Sequence, residues 1–219
     1  MNKCDSKRKV LFLIESLHGG KAAKALATLV QYIDKTKFDV TVCAITGGGK
    51  YESTISENVN YKAILKDGAR GTKYSLVYKR LPMSMVYKMF VPQGSDVEIA
   101  YTEGFATKLL SNSSNSKAKK YAWVHTDLYS NHWTKEVFSS EKEETKVYNQ
   151  YDKIIGFADL ICNAFKKRFP EVVKPVETIY DPVDSLSVRL KSLNASSEEE
   201  HKVGVRLVAH GRLEAHNEY

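Results

Sequence analysis

Cysteine is scarce in this sequence of 219 residues, which has three: Cys4, Cys43 and Cys162. Their number is odd, their spacing is wide, and no Cys-x-x-Cys motif or nearby pair of histidines accompanies them. This pattern argues against a disulfide framework and a structural zinc site. We therefore expect reduced thiols and a cytoplasmic location.

Long hydrophobic runs are also lacking. The only strong apolar run near the N-terminus is VLFLI, residues 10–14, whereas about 20 apolar residues are needed to span a bilayer. We expect neither a signal peptide nor a membrane span.

Several catalytic signatures are missing as well. No histidine, cysteine and carboxylate residues occur at metal-ligand spacing, and the sequence has neither a Gly-x-Ser-x-Gly motif nor a P-loop. We therefore expect no metal site, and the serine hydrolase and nucleoside triphosphatase classes lose support.

What the sequence has in excess is positive charge. It contains 33 lysines and arginines against 26 acidic residues, which gives a formal net charge of +7. This balance favours anionic partners, such as nucleic acid, phosphorylated small molecules or an anionic membrane surface. The cations are scattered and no recognition motif occurs, so we expect no nucleic-acid partner. A basic surface without a special partner is the alternative.

Short β-rich runs alternate with helical runs along the chain. The predicted strands are residues 9–14, 38–45, 59–65, 96–101, 119–125, 152–157 and 176–180. The predicted helices are residues 19–33, 75–90 with a kink at Pro82, 104–111, 134–151 and 159–169. This alternation predicts an α/β fold with a Rossmann-like, doubly wound, mostly parallel sheet. Such sheets bind ligands at the carboxyl ends of their strands.

A change in composition divides the chain near its C-terminus. Residues 192–202 are polar and acidic without apolar periodicity, which indicates a linker or exposed loop. Residues 203–219 begin another apolar strand and turn. We expect one Rossmann-like domain over residues 1–191 and the start of a second domain over residues 203–219.

Two adjacent glycines, Gly19 and Gly20, stand where the first strand passes into the first helix. Backbone N–H groups and the helix dipole favour an anion there, and Lys21 and Lys24 add positive charge. The spacing is not Gly-x-Gly-x-x-Gly, so a dinucleotide site is not expected. A tight turn without a ligand is the alternative.

Polar and aromatic residues follow the fourth and fifth predicted strands. His125 ends the fifth strand, where it can hydrogen-bond a sugar hydroxyl or phosphate or transfer a proton; a structural histidine is the alternative. The next loop combines Asp127 with Tyr129 and Trp133, which suits sugar binding and also occurs in ordinary surface loops. Glu103 lies at the equivalent place after the fourth strand, where a carboxylate at a helix start is the alternative.

The segment 73–90 has an amphipathic pattern. One stripe carries Val77, Leu81, Met85 and Met89, with four cations nearby: Lys73, Lys79, Arg80 and Lys88. The pattern suits peripheral contact with an anionic surface at the inner face of the cell membrane. An ordinary helix packed on the sheet is the alternative.

Taken in order, much of the chain resembles the N-terminal, acceptor-side half of a retaining glycosyltransferase of the family-4 type, with the GT-B architecture of two Rossmann-like domains. The matching stretches are KVLFLIESLHGGKAAKALATLV, FDVTVCAIT, DVEIAYTEGFATKLL, KKYAWVHTDLY, YDKIIGFADLICNAFKKRFP, VETIYDPVD and LVAHGRLEAHNEY. The resemblance implies transfer of a sugar from a nucleotide-diphosphate sugar to a glycan or lipid-linked acceptor, with retention and without a metal, in cell-surface polysaccharide synthesis.

The resemblance also implies roles for single residues. Gly19 and Gly20 match the family's glycine loop near the donor, His125 matches a histidine that contacts the donor sugar, and Arg212 matches an arginine that faces the leaving diphosphate. Together with the patterns above, we predict His125 as catalytic. We predict donor binding by Gly19, Gly20, Lys24 and Arg212, and acceptor binding by Glu103, Asp127, Tyr129 and Trp133.

The sequence also departs from that family. Lys21 and Ala23 stand where glycine and glutamate are usual in the first loop, Asp181 replaces an asparagine, and Asn217 occupies the place of a diphosphate-binding lysine. Most of the donor domain is lacking, so we expect little sugar transfer by this chain alone. A non-catalytic Rossmann-like binding module that has lost the site is the alternative function.

Overall fold

A parallel sheet forms the centre of the computed structural model, which describes residues 6–66 and 81–193. The strands are β1 (Arg8–Ser16), β2 (Phe38–Thr46), β3 (Asn60–Leu65), β4 (Val97–Ala100), β5 (Lys119–Val124), β6 (Lys153–Gly156) and β7 (Val176–Thr178). Neighbouring strands pair in parallel in the order β3-β2-β1-β4-β5-β6-β7. The predicted α/β, Rossmann-like, doubly wound sheet is confirmed.

The apolar run in β1 explains its central place in the sheet. Its residues from Val10 to Ile14 are all buried, as expected for a parallel strand covered on both faces. β1 pairs with β2 on one side and with β4 on the other. The strand order therefore reverses between β1 and β4, and the carboxyl ends of these strands flank the place where such sheets bind ligands.

Helices cover both faces of the sheet. They are α1 (Lys21–Tyr32), α2 (Glu52–Asn58), α3 (Met83–Phe90), α4 (Phe105–Leu110), α5 (Glu141–Tyr148), α6 (Asp159–Arg168) and α7 (Ser185–Leu193). α1 and α2 pack on one face through Leu26, Val30 and Ile55. α3 to α6 pack on the other face through an apolar cluster that includes Tyr87, Leu109, Tyr148 and Phe165. These apolar helix faces bury the strands from both sides.

The prediction of one long helix over residues 134–151 is wrong. A short 3-10 turn spans Trp133–Glu136, and α5 begins only at Glu141. The side chain of Ser140 caps α5 by accepting a hydrogen bond of 3.2 Å from the N–H of Glu143, which is a typical helix start. The periodicity also does not predict α2, because that helix buries only Ile55.

The structure describes only the second part of the helix predicted over residues 75–90. α3 starts directly after Pro82, a residue that suits a helix start because its φ is fixed. Val86 and Tyr87 are buried, whereas Met85 and Met89 are exposed at 47% and 61%. The earlier predicted members lie outside the described residues: Lys73, Val77, Lys79 and Arg80. No described helix is long and apolar enough to cross a membrane.

The chain divides into two compact units, Met1–Val183 and Asp184–Tyr219. The first contains the whole sheet. The described part of the second consists of Asp184 and α7, a helix that has no buried residue and extends into the linker predicted at 192–202. The rest of that linker, the domain start predicted over 203–219, Arg212 and Asn217 lie outside the described residues. The domain boundary after residue 191 stays a prediction.

Candidate functional site

The glycine loop between β1 and α1 is open. Gly19 and Gly20 are exposed, and a Cβ at either position would meet no atom within 4 Å. Gly20 has a φ of +90, which L side chains rarely adopt, whereas Gly19 has no positive φ. Neither backbone strain nor packing among the described residues therefore requires glycine at position 19. The open space leaves room for the close approach of a ligand.

The N-terminus of α1 follows this loop directly. The helix has no acidic residue in its first turn and no side chain that caps it. Lys21 and Lys24 are both exposed. The helix dipole and these two cations give the loop an environment that favours an anion such as a diphosphate.

A second loop, after β2, supports the end of β1. The N–H of Tyr51 donates a hydrogen bond of 3.2 Å to the carbonyl of Leu17. Gly49 has a φ of +106 and lies against the same stretch, so that a Cβ there would come within 2.4 Å of the backbone N of His18. Glycine is required at this position, and the loop fixes the chain path into Gly19. The sequence pattern identifies residues 47–49 only as a turn.

The imidazole of His125 lies in an aromatic surround at the carboxyl edge of the sheet. Its plane is nearly parallel to the rings of Trp123, at a centroid distance of 6.2 Å and an angle of 10°, and of Phe157, at 5.8 Å and 14°. The Tyr101 ring centroid is 5.0 Å away. The sheet produces this arrangement, because Tyr101, His125 and Phe157 are the first residues after β4, β5 and β6. That shared position is the sequence signal that could have identified Tyr101 and Phe157.

Polar atoms around His125 are buried without hydrogen-bond partners among the described residues. They are both imidazole nitrogens, Trp123 Nε1 and Asp181 Oδ1. The carboxylate of Asp181 lies beside the imidazole, with its Oδ2 3.6 Å from His125 Nδ1. Burial raises the pKa of Tyr101, and the negative charge of Asp181 together with a hydrogen bond to its carboxylate raises it further. Buried polar atoms without partners are costly, so this group suits a polar ligand.

Glu103 holds the backbone of His125 in place. Its carboxylate is 3% exposed and accepts a hydrogen bond of 2.9 Å from the His125 N–H. Next to it, a Cβ on Gly104 would come within 2.6 Å of the Trp133 ring. The partly buried Trp133 therefore packs on the loop that carries Glu103. Glu103 and Trp133, which are both predicted to bind the sugar acceptor, therefore lie next to each other beside His125.

Asp127 and Tyr129 lie on the loop that continues from His125. The Asp127 carboxylate accepts hydrogen bonds of 3.0 Å from the N–H groups of Tyr129 and Ser130 and one of 2.8 Å from the Ser130 hydroxyl. Partial burial alone would raise the pKa of Asp127, but the hydrogen bonds from Ser130 and Tyr129 hold it below its usual value. Asp127 thus shapes the loop, while the Tyr129 ring is 60% exposed and has Lys167 Nζ at 5.9 Å from its centroid.

A buried polar network, which the sequence pattern does not reveal, anchors the end of this loop. His132 Nε2 lies 2.7 Å from Glu144 Oε2, and His132 Nδ1 lies 2.7 Å from Arg168 Nη2. The Thr134 hydroxyl donates to Glu144 Oε1 at 2.7 Å, and Arg168 also pairs with Glu141 at 2.6 Å. Burial raises the pKa of Glu144, although the bonds from Thr134 and His132 oppose that rise. The network ties the loop to α5 and α6.

The predicted site residues thus fall into two groups at the carboxyl edge. Gly19, Gly20 and Lys24 belong to the β1–α1 loop and helix start. The group after β4 and β5 comprises His125, Glu103, Asp127, Tyr129 and Trp133. Over residues 6–66 and 81–193, no three histidine, cysteine or carboxylate side chains are grouped to hold a metal ion. The absence of a metal cofactor from the function stays a prediction.

Comparison with known proteins gives matches in structure alone. No protein-family model matches the sequence, and no curated protein matches it significantly. Anabaena Alr3699/HepE in complex with UDP-glucose has a TM-score of 0.54 at 16% identity, over 85% of this chain and 50% of that chain. An α-glucosyltransferase in complex with UDP-glucose and DNA containing an abasic site has a TM-score of 0.53 at 14% identity, over 84% and 45%.

A third similar structure is the N-terminal domain of Candida albicans trehalose-6-phosphate phosphatase, with a TM-score of 0.52 at 14% identity, over 90% of this chain and 53% of that chain. The chain spans about half the length of these three structures. At such low identity the likeness shows the fold alone. This chain therefore has the α/β, Rossmann-like fold that is found in GT-B glycosyltransferases.

Proposed function

We propose that this chain is the acceptor-side half of a retaining GT-B glycosyltransferase of the family-4 type. The observation that carries the proposal is the buried His125 imidazole, whose nitrogens lack partners, at the ligand-binding edge of a fold shared with structures that hold UDP-glucose. The donor is a nucleotide-diphosphate hexose. The acceptor is a glycan or lipid-linked glycan in cell-surface polysaccharide synthesis. The protein acts in the cytoplasm and needs no metal.

The glycine loop is the proposed place for the diphosphate. The exposed backbone at Gly19 and Gly20 allows close approach, and α1 begins directly after the loop without a side-chain cap and carries Lys24 in its first turn. As the glycosidic bond breaks, negative charge grows on the leaving diphosphate. Fixed dipoles and cations aimed at that charge lower the barrier. Arg212 has the same role by sequence resemblance.

His125 is the proposed contact for the transferred sugar. The rings of Trp123 and Phe157 lie nearly parallel to its imidazole, with centroids 6.2 and 5.8 Å away, so His125 can make polar contacts only through its two ring nitrogens. A sugar hydroxyl can supply the partner that the buried nitrogen lacks. Glu103 supports this role because its carboxylate fixes the His125 backbone. In this proposal Glu103 also lies next to the bound acceptor.

The acceptor is proposed to bind along the loop after β5. Tyr129 presents an exposed ring, and Trp133 lies beside the Glu103 loop. Flat aromatic faces next to polar groups suit the apolar faces and hydroxyls of a sugar. Asp127 holds the loop turn through its hydrogen bonds and can offer an acceptor atom to a sugar hydroxyl.

Peripheral membrane contact is a second, separate proposal for α3. Met85 and Met89 lie one helical turn apart and are both exposed, next to the exposed Lys88. Apolar side chains beside a cation suit the interface of an anionic bilayer. Such contact would bring the protein to a lipid-linked acceptor at the inner face of the membrane.

The experiment that tests the function is an assay of the protein at its full natural length. Release of nucleoside diphosphate is measured across a panel of sugar nucleotides with glycan acceptors, and NMR of the product identifies the anomer. We expect turnover with one donor, retention of the anomeric configuration, and a loss of about 100-fold in kcat/KM for His125→Ala. No turnover with any donor, together with tight binding of a protein partner, would favour the non-catalytic binding module instead.

A further inference from the structure

His125 and Asp181 form a close, buried pair across the site. His125 Nδ1 lies 3.6 Å from Asp181 Oδ2, and the two side chains are only 6% and 19% exposed. Asp181 follows β7, two strands away from the end of β5 in chain order. The carboxylate stands at the position where the family that the sequence resembles has an asparagine. The difference is one of chemistry, because a carboxylate can only accept a hydrogen bond while an amide can accept or donate.

We propose that Asp181 is a positioning residue that keeps the neutral His125 imidazole protonated at Nδ1 and so presents Nε2 as an acceptor to a ligand hydroxyl. The carboxylate favours a proton on the nitrogen that faces it, since a bare nitrogen lone pair there would be repelled. His125 Nε2 is buried and has no partner among the described residues. It is therefore the atom left to receive a hydroxyl.

The other histidine of this loop, His132, has the reverse arrangement of charges around its imidazole. His132 Nδ1 lies 2.7 Å from Arg168, a residue with donors only, and its Nε2 faces the carboxylate of Glu144. The proton of His132 therefore sits on Nε2. The same rule gives the opposite tautomer for His125, because there the carboxylate faces Nδ1.

The tautomer determines which ligand group can form a hydrogen bond with His125 Nε2. A phosphate oxygen has no proton to donate to Nε2, and the nearby Asp181 carboxylate would repel it. A sugar hydroxyl donates well to a neutral nitrogen. In this respect the inference rests on the proposed function: it assigns the His125 side of the site to the sugar and not to the diphosphate.

The first test measures the tautomer in the ligand-free protein. Histidine is labelled with ¹⁵N, and spectra that report two-bond couplings from the ring protons to the ring nitrogens are recorded. The pH is about 8, where histidines are mostly neutral. The His125→Gln variant identifies the signal of His125. We expect the Nδ1–H form in the wild type and a shift toward Nε2–H in Asp181→Asn. Asp152→Asn, which removes a carboxylate near the amino end of β5, should leave the signal unchanged. An Nε2–H form in the wild type, or an unchanged signal in Asp181→Asn, overturns the inference.

The second test separates the sugar from the diphosphate. We expect Asp181→Asn to weaken UDP-glucose binding about fivefold, which is the loss of one ordinary hydrogen bond, and to change UDP binding less than about twofold. An equal loss for both ligands overturns the inference. If the wild type binds no sugar nucleotide, the proposed function fails, and the tautomer measurement alone then decides the role of Asp181.

Discussion

The Nδ1 atom of His132 lies 2.7 Å from Nη2 of Arg168. Since a guanidinium can only donate, this contact fixes the imidazole as an acceptor at Nδ1 and a donor at Nε2. The Nε2 proton points to Glu144, whose side chain is fully buried. Through these three residues, the loop that carries Tyr129 and Trp133 is attached to two helices on one face of the sheet.

The first prediction concerns this network. His132→Ala should lower the free energy of unfolding by about 3 kcal/mol, because it leaves Oε2 of the buried Glu144 carboxylate without its partner. Urea unfolding followed by circular dichroism measures the change. Lys153→Ala is the control, since it removes a partly exposed ion pair with Glu177 and should cost less than about 1 kcal/mol. Equal costs for the two variants would show that the network does not anchor the loop.

The second prediction separates strain from ligand approach in the glycine loop. Gly20 and Gly94 have φ values of +90 and +87 and open surroundings, so alanine at either should cost about 1–2 kcal/mol of stability. Gly19→Ala should change stability by less than about 0.5 kcal/mol. Alanine at 19 or 20 should weaken sugar-nucleotide binding, measured by NMR titration, whereas Gly94→Ala should not. Unchanged binding in Gly19→Ala would argue that the loop is only a turn.

The third prediction concerns the support of the glycine loop. Gly49→Ala should lower the free energy of unfolding by at least about 2 kcal/mol, which is more than the cost of Gly94→Ala. Alanine at position 49 has an unfavourable positive φ, and its Cβ would also clash with the backbone of Leu17 and His18. The midpoint of urea unfolding gives the comparison. If both alanine variants unfold at the same denaturant concentration, the contact between the two loops is not tight.

The fourth prediction concerns α3. Replacement of both exposed methionines, Met85→Ser and Met89→Ser, should reduce sedimentation with anionic vesicles several-fold, because the apolar contribution to interfacial binding is lost. Val173→Ser is the control, since Val173 is 83% exposed and lies between α6 and β7. Vesicles without anionic lipid should bind weakly in every case. Equal sedimentation of all three proteins would remove the case for membrane contact.

Patterns that are local in sequence were sufficient to predict the sheet and its edge. The continuous apolar run from Val10 to Ile14 predicts a buried parallel strand, and the glycines after it predict the turn into α1. The position of His125 at a strand end predicts that it lies at the carboxyl edge of the sheet. Each of these signals lies within a few residues along the chain, and the structure agrees with them.

Contacts between distant residues could not be predicted in this way. His132 is 12 residues from Glu144 and 36 from Arg168, and nothing in its local pattern indicates either partner. The same holds for Asp181, which is noticeable in the sequence only as a replaced asparagine. The helix predicted over 134–151 failed because its many charged residues fit a helix, while the break depends on capping by Ser140.

The most direct test of the account is saturation-transfer difference NMR of UDP-glucose with the wild type and His125→Ala. Tyr32→Ala is the control, because Tyr32 is exposed at the far end of α1. We expect the sugar protons to receive saturation from the wild type and from Tyr32→Ala. In His125→Ala the sugar signals should fall several-fold relative to the uridine signals, because the sugar loses its contact with the imidazole while the uridine keeps its own contacts. Equal sugar signals in all three proteins, or none from the wild type, would contradict the claim that His125 contacts a donor sugar.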